Sequence, residues 1–393
     1  MKIVKVLIPE MKGSAIWTAV LTLLFLFLCG PSSEILDICV ALPFFMLSYF
    51  LFFSIGRDAI SDYLKTWVRG DLKRVLIVPG FLLTLYFCYI LLNGENPIRG
   101  SLALLPYLIL FPALVFVVHR NKDRAIGWLD FLAFVIYLLP TTFIEVNPSG
   151  ELPFHGEGFD SMYRIILILS ALYAFGVVRG IKDIGFFPML NWRSLMTAIG
   201  VWMAFYLFVL IIGFNIDFIR YTGHEVIDQV LVKKILITLV ATFFHTAIFE
   251  ELFFRGLLQN MLAKRISQAK TWKVFWQWGV AISIPLALVV GYTLKGGLQW
   301  FPALMVVLLF VAAFFLERSK AHPSGLYTGL AITSTIFGLV HYHSHAIIYI
   351  GFACIAGWAY GYTYLKTKNV FYSALVHTLV NSSVVIFGLE FIK

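Results

Sequence analysis

Long apolar runs, separated by short polar stretches, recur from one end of the chain to the other. We count thirteen runs of mostly apolar residues, and they begin near Ile16, Ile38, Val75, Leu102, Ile126, Ile165, Leu195, Ile235, Val274, Leu298, Gly325, Ala346 and Val370. Each is roughly 18 residues or longer, the length that a helix needs to cross about 30 Å of hydrocarbon. The pattern predicts an all-α polytopic membrane protein with about 13 transmembrane helices.

Composition supports this prediction. Hydrophobic residues make up 60% of the chain and charged residues 13%, and the mean hydropathy is +0.88. A single soluble core of this length could not bury so much apolar surface. The lipid bilayer is therefore an expected partner, and functional chemistry is expected within the helices.

The positions of Lys and Arg predict the topology, because positively charged loops resist translocation. With a cytoplasmic N-terminus, the inside loops carry Arg57 to Arg74, Arg120 to Arg124, Arg179 to Arg193, Lys264 to Lys273, Arg318 with Lys320, and Lys366 with Lys368. The loop from Glu145 to Asp160 is acidic, whereas the region around Arg220, Lys233 and Lys234 fits the pattern badly. Topology and anionic lipid head groups account for the net charge of +9, so no nucleic-acid partner is expected.

The first six runs contain no cluster of polar residues, and Asp130 is expected to be isolated. Residues 1–190 are therefore predicted to form an accessory transmembrane module of about six helices. Residues 191–393 are predicted to be the functional core, a C-terminal helical bundle with a buried polar site.

Two adjacent carboxylates, Glu250 and Glu251, interrupt the run that begins at Ile235. Glu251 and Arg255 are four residues apart, so on a helix they share a face and can pair. Glu250 points about 100° away and is free for another role. A structural ion pair would explain Glu251 and Arg255, but it would leave Glu250 without an explanation.

Two further runs carry polar side chains at the same spacing. Phe337 and His341 share one helix face, and His377 and Asn381 share another. Alone, the histidine could be a packing residue and the His/Asn pair could be a hydrogen-bonding contact between helices. Taken together, two carboxylates, two imidazoles and an amide are the groups needed to activate a water and to stabilise an oxyanion.

The order EExxxR, FxxxH and HxxxN on successive helices resembles the CAAX protease and bacteriocin-processing (Abi) family, which includes the type II CAAX prenyl endopeptidases. The similarity covers roughly residues 235–390 and extends to Gly357, Gly361, Tyr364, Thr367 and Asn369. It implies an intramembrane endopeptidase acting on a membrane-associated protein or peptide. We expect an integral multi-pass protein of a bacterial inner membrane.

The resemblance also implies a role for each motif residue. Glu250 with His341 would activate the hydrolytic water, and Glu251 with Arg255 would form a supporting pair. His377 and Asn381 would bind the oxyanion. One departure is the separation of Glu250 from His341 by 91 positions, against a few tens in the family. The excess contains two apolar runs, which we interpret as a hydrophobic hairpin inserted at about 270–320.

The motifs leave metal dependence open. Glu250, Glu251, His341 and His377 could bind Zn²⁺, but a glutamate and a histidine can also activate water without a metal, and this metal-free version is favoured, with no cofactor. His224 and Glu225 mimic the start of an HExxH motif, but Asp228 stands where its second histidine would be. His343 and His345 are expected to lie in a surface loop.

A second class of function uses the same residues. Glu and His within membrane helices also form ion or proton paths, so the chain could be a transporter or a non-catalytic scaffold, including one with a role in bacteriocin immunity. Against this, the runs show no repeat of the two-halves kind that many transporters display. Replacing Glu250 by Gln would distinguish the two, because only an enzyme would lose substrate cleavage.

Overall fold

The computed structural model describes residues 2–29, 35–119, 125–143, 151–152, 159–224, 227–294, 296–321, 324–344 and 346–392. Within these residues the chain is helical apart from connecting segments and two short strands. The strands are β1 (Ile219–Tyr221) and β2 (Leu389–Phe391). The helices are α1 (Lys2–Cys29), α2 (Ile35–Ile55), α3 (Asp58–Val68), α4 (Leu72–Leu92), α5 (Pro97–His119), α6 (Trp128–Phe143), α7 (Met162–Arg179), α8 (Trp192–Asn215), α9 (Gln229–Ala269), α10 (Trp272–Thr293), α11 (Phe301–Arg318), α12 (Leu326–Val340), α13 (Ile347–Thr367) and α14 (Val370–Phe387).

Polar residues at the ends of the apolar runs start many of these helices. A helix begins with backbone N–H groups that have no partner within it, and a side-chain oxygen at the preceding residue can accept from them. Six residues do so here: Asp71, Asn96, Ser161, Asn191, Asp228 and Asn369. The caps explain why the helix starts follow the polar breaks in the sequence.

Ten helices of the described chain are long and apolar enough to cross a membrane, namely α1, α2, α4, α5 and α7 to α11 together with α14. The predicted all-α, integral multi-pass membrane fold is therefore confirmed. Three further predicted runs form α6, α12 and α13. α12 has 15 residues, and α13 is rich in Tyr and Gly, so neither is among the ten, and the number thirteen stays a prediction.

Contacts divide the chain into two compact units. The first contains residues 1–189 and 244–249, and the second contains residues 190–243 and 250–393. Whether these units correspond to an accessory module and a catalytic core stays a prediction. The topology inferred from loop charges also stays a prediction, and Arg120, Lys122, Arg124 and residues 145–150 and 153–158 of the acidic loop lie outside the described residues.

In the first unit, the expectation that Asp130 is isolated is wrong. Its carboxylate lies 2.5 Å from Nε of Arg179 and 3.3 Å from Nε2 of His119, and it also accepts from the backbone N–H of Gly127. These residues come from the ends of α5, α6 and α7, up to sixty positions apart in the sequence. Sequence spacing could not show that these helix ends meet.

In the second unit, glycines let α13 approach its neighbours closely. A methyl group at Gly338 of α12 would lie 2.6 Å from the backbone nitrogen of Cys354. A methyl group at Gly361 would lie 2.4 Å from Oε1 of Gln259. Nε2 of the same Gln259 donates a hydrogen bond to the carbonyl of Gly361. The absence of a side chain at these two positions brings α9, α12 and α13 together.

The two apolar runs at about 270–320 form α10 and α11, which pack against each other and against α12, and their origin as an insertion stays a prediction. Glu317, fully buried at the end of α11, accepts from the backbone N–H groups of Gly325 at 3.1 Å and Tyr327 at 2.6 Å. A carboxylate at this point favours the start of α12, because the N-terminus of a helix is partially positive. The hairpin therefore supports the helix that leads to His341.

Candidate active site

α9 changes its helical pitch where the acidic motif lies. Residues Leu252–Gln259 form a π-helical segment directly after Glu251. Single π-helical turns inside α-helices are rare and are frequent at functional sites. This segment holds Arg255 and Gln259, both fully buried.

Glu251 is the centre of a buried hydrogen-bond network. Its side chain is fully buried, and its Oε2 lies 3.0 Å from Nε of Arg255 and 2.5 Å from Oγ of Ser373. Its Oε1 lies 3.0 Å from Nδ1 of His377. The Ser373 hydroxyl also lies 2.8 Å from the carbonyl oxygen of Tyr360, but its single proton makes the stronger bond to the charged carboxylate. Three donors on one buried carboxylate favour its ionised form.

Arg255 is held by this carboxylate and by aromatic rings. Its guanidinium lies 5.0 Å from the ring centre of Phe337 and 6.0 Å from that of Tyr360. Neither Nη atom has a hydrogen-bond partner among the described residues. The ion pair and the ring faces together compensate for burial of the charge.

His377 is oriented by contacts on every side. Its ring is 2% exposed, and it stacks on Tyr360 with ring centres 4.5 Å apart and planes 12° apart. Because a carboxylate only accepts, Nδ1 of His377 carries the proton that is donated to Glu251. Its other nitrogen, Nε2, lies 4.0 Å from Oε2 of Glu250. Each nitrogen of the His377 ring therefore faces one of the two adjacent glutamates.

Glu250 differs from Glu251 in its exposure and in its hydrogen bonding. Its side chain is 29% exposed, and its Oε2 has no hydrogen-bond partner within the described part of the chain. Its charge acts on His341 and on Tyr349. The prediction that Glu251 pairs with Arg255 while Glu250 points elsewhere agrees with these contacts.

His341 lies at the end of α12, not inside a continuous helix as the apolar run suggests. The helix ends at Val340, and residues His341–Ser344 form a 3₁₀ turn. Nδ1 of His341 lies 2.7 Å from the carbonyl oxygen of Phe337, and Nδ1 of His343 lies 2.9 Å from that of Val340. The two side chains thus satisfy carbonyls that the helix end leaves without partners.

The bond to Phe337 also fixes the chemistry of His341. A carbonyl only accepts, so Nδ1 is protonated and the neutral ring has its lone pair on Nε2. The Phe337 and His341 ring centres are 4.9 Å apart, as expected for residues on one face. His341 is therefore presented as a base through Nε2.

A cavity of about 300 Å³ lies beside these residues. His341, His377 and Asn381 line it, and the rest of its lining is mostly aromatic and aliphatic: Phe205, Tyr206, Val209, Phe218, Phe337, Tyr349, Phe352, Ala353, Ala356, Tyr360, Val380 and Phe391. Glu250 is not a lining residue, and it reaches the cavity wall through His377. Asn381 is exposed.

The structure thus brings the six predicted site residues close together. Three of them line the cavity: His341, His377 and Asn381. The other three lie behind the cavity wall: Glu250, Glu251 and Arg255. Sequence reasoning missed Ser373, Tyr360 and Tyr349. Ser373 precedes His377 by four residues on α14, so the spacing offered a signal for it. The two tyrosines lie on α13, and sequence spacing carried no signal for them.

The described residues do not fit a metal site. No group of three or more His, Cys, Asp or Glu side chains within the described ranges is arranged to hold a metal ion. Glu251 is already bonded to three protein donors. His343 lies exposed in the 3₁₀ turn, while His345 and Glu225 lie outside the described residues.

The fold and the site define a class: a multi-pass α-helical membrane protein with a buried Glu–Arg–His network beside an apolar cavity. The family model "Type II CAAX prenyl endopeptidase Rce1-like" matches residues 232–325 and 309–383. The match includes all six predicted site residues. The resemblance carried by the three motifs is therefore confirmed over this part of the chain. The match supports a CAAX-type membrane protease. No curated protein and no solved structure matches the chain.

Proposed function

We propose that the protein is an intramembrane endopeptidase that hydrolyses a peptide bond of a membrane-associated protein or peptide. The observation that carries the proposal is the contrast between two adjacent carboxylates. Glu251 is hydrogen-bonded to Arg255, Ser373 and His377, whereas the Oε2 atom of Glu250 has no hydrogen-bond partner among the described residues. A purely structural ion pair explains Glu251 but gives no reason for a second carboxylate.

In the proposed reaction, His341 and Glu250 activate the attacking water. A water proton moves to Nε2 of His341, and the water oxygen forms a bond with the carbonyl carbon of the substrate. Glu250, whose charge acts on His341, stabilises the imidazolium that forms and so favours the proton transfer from water. The peptide C–N bond then breaks, and the proton moves from His341 to the leaving amine.

Glu251, Arg255 and Ser373 act as positioning residues in this scheme. They hold His377 through Nδ1, which keeps its Nε2 beside Glu250. The side-chain amide of Asn381, exposed in the cavity wall, can donate to the oxyanion that develops on the substrate carbonyl.

The apolar lining fits a hydrophobic segment of substrate next to the scissile bond. Aromatic residues from α8, α12 and α13 and from β2 dominate the cavity. A polar peptide would have to leave water to enter such a lining, whereas an apolar segment gains from burial there. This supports a substrate drawn from the membrane or its surface.

The substrate is best identified by comparing membrane proteomes. Cells that express the wild-type chain are compared with cells that express Glu250→Gln at equal abundance, and new peptide termini are mapped. Glu95→Gln, at an exposed turn, is the matched control and should behave as wild type. We expect termini that need the wild-type or control protein and vanish with Glu250→Gln. Cleavage that is equal in all three would overturn the proposal and favour an ion path.

We propose that residues 1–190 are an accessory module and that the hairpin at about 270–320 is an insertion in the catalytic core. We also propose a bacterial inner-membrane location with a cytoplasmic N-terminus, supported by the loop charges.

A further inference from the structure

Part of the cavity wall comes from segments outside the family match, which spans residues 232–383. Five lining residues lie before or after that range: Phe205, Tyr206, Val209, Phe218 and Phe391. The first three belong to α8, and the other two belong to the ribbon formed by β1 and β2. The six predicted site residues, by contrast, all lie inside the match. The groups proposed for the chemistry and this part of the wall are thus separate along the chain.

The ribbon brings two phenylalanine rings together in the cavity. β1 and β2 pair antiparallel, and the backbone N–H of Ile392 donates to the carbonyl of Phe218 at 2.9 Å. The ring centres of Phe218 and Phe391 are 5.2 Å apart, with the planes at 18°. Phe352 of α13 also lines the cavity, and its ring centre lies 5.6 Å from that of Phe218. We call these three residues, Phe218, Phe352 and Phe391, the phenylalanine subsite.

Backbone hydrogen bonds hold the ribbon in place at both ends. The N–H of Phe218 donates to the carbonyl of Gly213, in the last turn of α8, at 2.8 Å. Gly388 has a φ of +61° and turns the chain from α14 into β2, a conformation that favours glycine. Its carbonyl accepts from the N–H groups of Thr222 at 2.9 Å and Gly223 at 3.0 Å. The two ribbon rings are therefore fixed relative to α8 and α14.

The phenylalanine subsite lies a short distance from the predicted site residues. Phe352 precedes Tyr360 by eight residues on α13, which is about 12 Å along the helix, and Tyr360 stacks on His377. Tyr349, one turn before Phe352, has its ring centre 5.7 Å from that of His341. An extended peptide covers about 12 Å with three or four residues. A side chain in the subsite would therefore lie within about four residues of the scissile bond.

The chemistry of the subsite is apolar. Phe218 and Phe352 are 5% and 4% exposed, so they form its floor, and Phe391, at 37%, lies on its open side. Phenyl rings offer no donor or acceptor, so a polar or charged side chain would lose water there without gaining a partner. A large apolar side chain gains from burial against the three rings.

We propose that Phe218, Phe352 and Phe391 form a substrate subsite that binds one large apolar side chain of the peptide, of the size of Leu or Phe, within about four residues of the scissile bond. The proposal rests on the proposed peptidase function. Phe391 sets the size limit, because it lies on the open side of the subsite. The ribbon thus selects the peptide, while the motif residues act on the bond.

The test uses purified full-length protein in proteoliposomes and a peptide taken from a mapped cleavage site. Each of the four residues on either side of the scissile bond is replaced in turn by Ala, Leu, Phe, Trp or Glu, and kcat/KM is measured. At one position, wild type should cleave the Leu or Phe peptide at least tenfold better than the Ala and Glu peptides, because a hydrophobic pocket discriminates by about that factor for small differences in size.

Variants of Phe391 should then move this preference in opposite directions. Phe391→Ala makes room, so the ratio of kcat/KM for the Trp peptide to that for the Leu peptide should rise at least tenfold. Phe391→Trp fills the subsite, so the ratio for the Ala peptide to the Leu peptide should rise. Tyr221→Ala is the matched control, because Tyr221 lies on the same ribbon, is 67% exposed and does not line the cavity. It should keep the wild-type ratios.

The outcomes separate a subsite from a structural role and from the proposed function. A variant that only weakens the fold lowers kcat/KM for every peptide by the same factor. Unchanged ratios in both Phe391 variants, equal shifts in Tyr221→Ala, or a wild type that cleaves the whole series equally would overturn the subsite and leave the peptidase intact. Melting temperatures identify a variant that does not fold, and Phe218→Leu, which should favour larger side chains as Phe391→Ala does, then decides. Cleavage by Glu250→Gln at the wild-type rate would instead remove the proposed function.

Discussion

Nδ1 of His377 lies 3.0 Å from Oε1 of Glu251, and the two residues are 126 positions apart in the chain. This contact joins α14 to α9, and it determines which ring nitrogen of His377 is protonated. It also makes Glu251 a structural residue, because the same carboxylate holds Arg255 and Ser373. Adjacent glutamates thus have different tasks, and they should respond differently to the same substitution.

Replacing Glu251 by Gln should destabilise the protein, whereas the same change at Glu250 should not. In Glu251→Gln the new amide would offer one acceptor where three donors converge, and it would leave buried Arg255 without a counter-charge, at a cost of about 3–5 kcal/mol. Oε2 of Glu250 makes no hydrogen bond among the described residues, so loss of the Glu250 carboxylate should abolish cleavage without lowering the melting temperature. Thermal unfolding in detergent and cleavage assays measure the two effects.

Equal melting temperatures for Glu250→Gln and Glu251→Gln would contradict this division of tasks. Glu95→Gln serves as the control for expression and for the substitution itself, since Glu95 lies exposed in a turn. Loss of activity in Glu251→Gln alone is not informative, because an unstable protein loses activity for any reason. The discriminating quantity is therefore the difference in stability between the two adjacent sites.

Glu317→Gln should weaken the support of α12. The carboxylate accepts from the backbone of Gly325 and Tyr327, and an amide can accept with only one of its two end groups. We expect a loss of about 1–2 kcal/mol of stability. Cleavage should fall less than in Glu250→Gln, because His341 lies at the opposite end of α12. A melting temperature equal to wild type would show that the hairpin does not hold this helix.

Chelation should leave activity unchanged. Glu251 is bonded to three protein donors, and no three potential ligands within the described ranges are grouped for a metal. Purified protein should retain cleavage after treatment with EDTA and with 1,10-phenanthroline, and metal analysis should find less than one ion per chain. Loss of activity that is restored by added Zn²⁺, but not by Mg²⁺, would show that a metal takes part.

Much of the fold follows from the sequence, because the length and apolar character of a run specify a membrane helix without knowledge of its neighbours. The i,i+4 pair of Glu251 and Arg255 is also a local property and was predictable. The end of α12 at Val340 was not predictable. There, the rings of His341 and His343 hydrogen-bond to backbone carbonyls of the last turn. Those bonds depend on rotamers that a sequence pattern does not reveal.

Contacts between distant segments were the part that sequence could not supply. Tyr360 and Tyr349 lie on α13, and their contacts with His377 and His341 depend on how the helices pack. Close packing there relies on glycines such as Gly338, whose role is visible only once Cys354 is opposite. Asp130 looked isolated for the same reason, because its partners come from two other helices.

The final prediction is that the cavity holds water, because hydrolysis needs water at the site. Cysteines at Ala353 and Val380, both in the cavity wall, should react with a small membrane-impermeant methanethiosulfonate at least tenfold faster than a cysteine at Leu308 on α11. The reason is that the reactive thiolate forms in water and hardly forms in hydrocarbon. Leu308 is the matched control because it is 44% exposed on an apolar helix and does not line the cavity. The background should have Cys39 and Cys88 replaced by Ala, since these are the two native thiols that are not buried. If both cavity cysteines are as slow as the control from either side of the membrane, in protein that still cleaves substrate, the site must receive its water elsewhere and the cavity is not the place of the reaction.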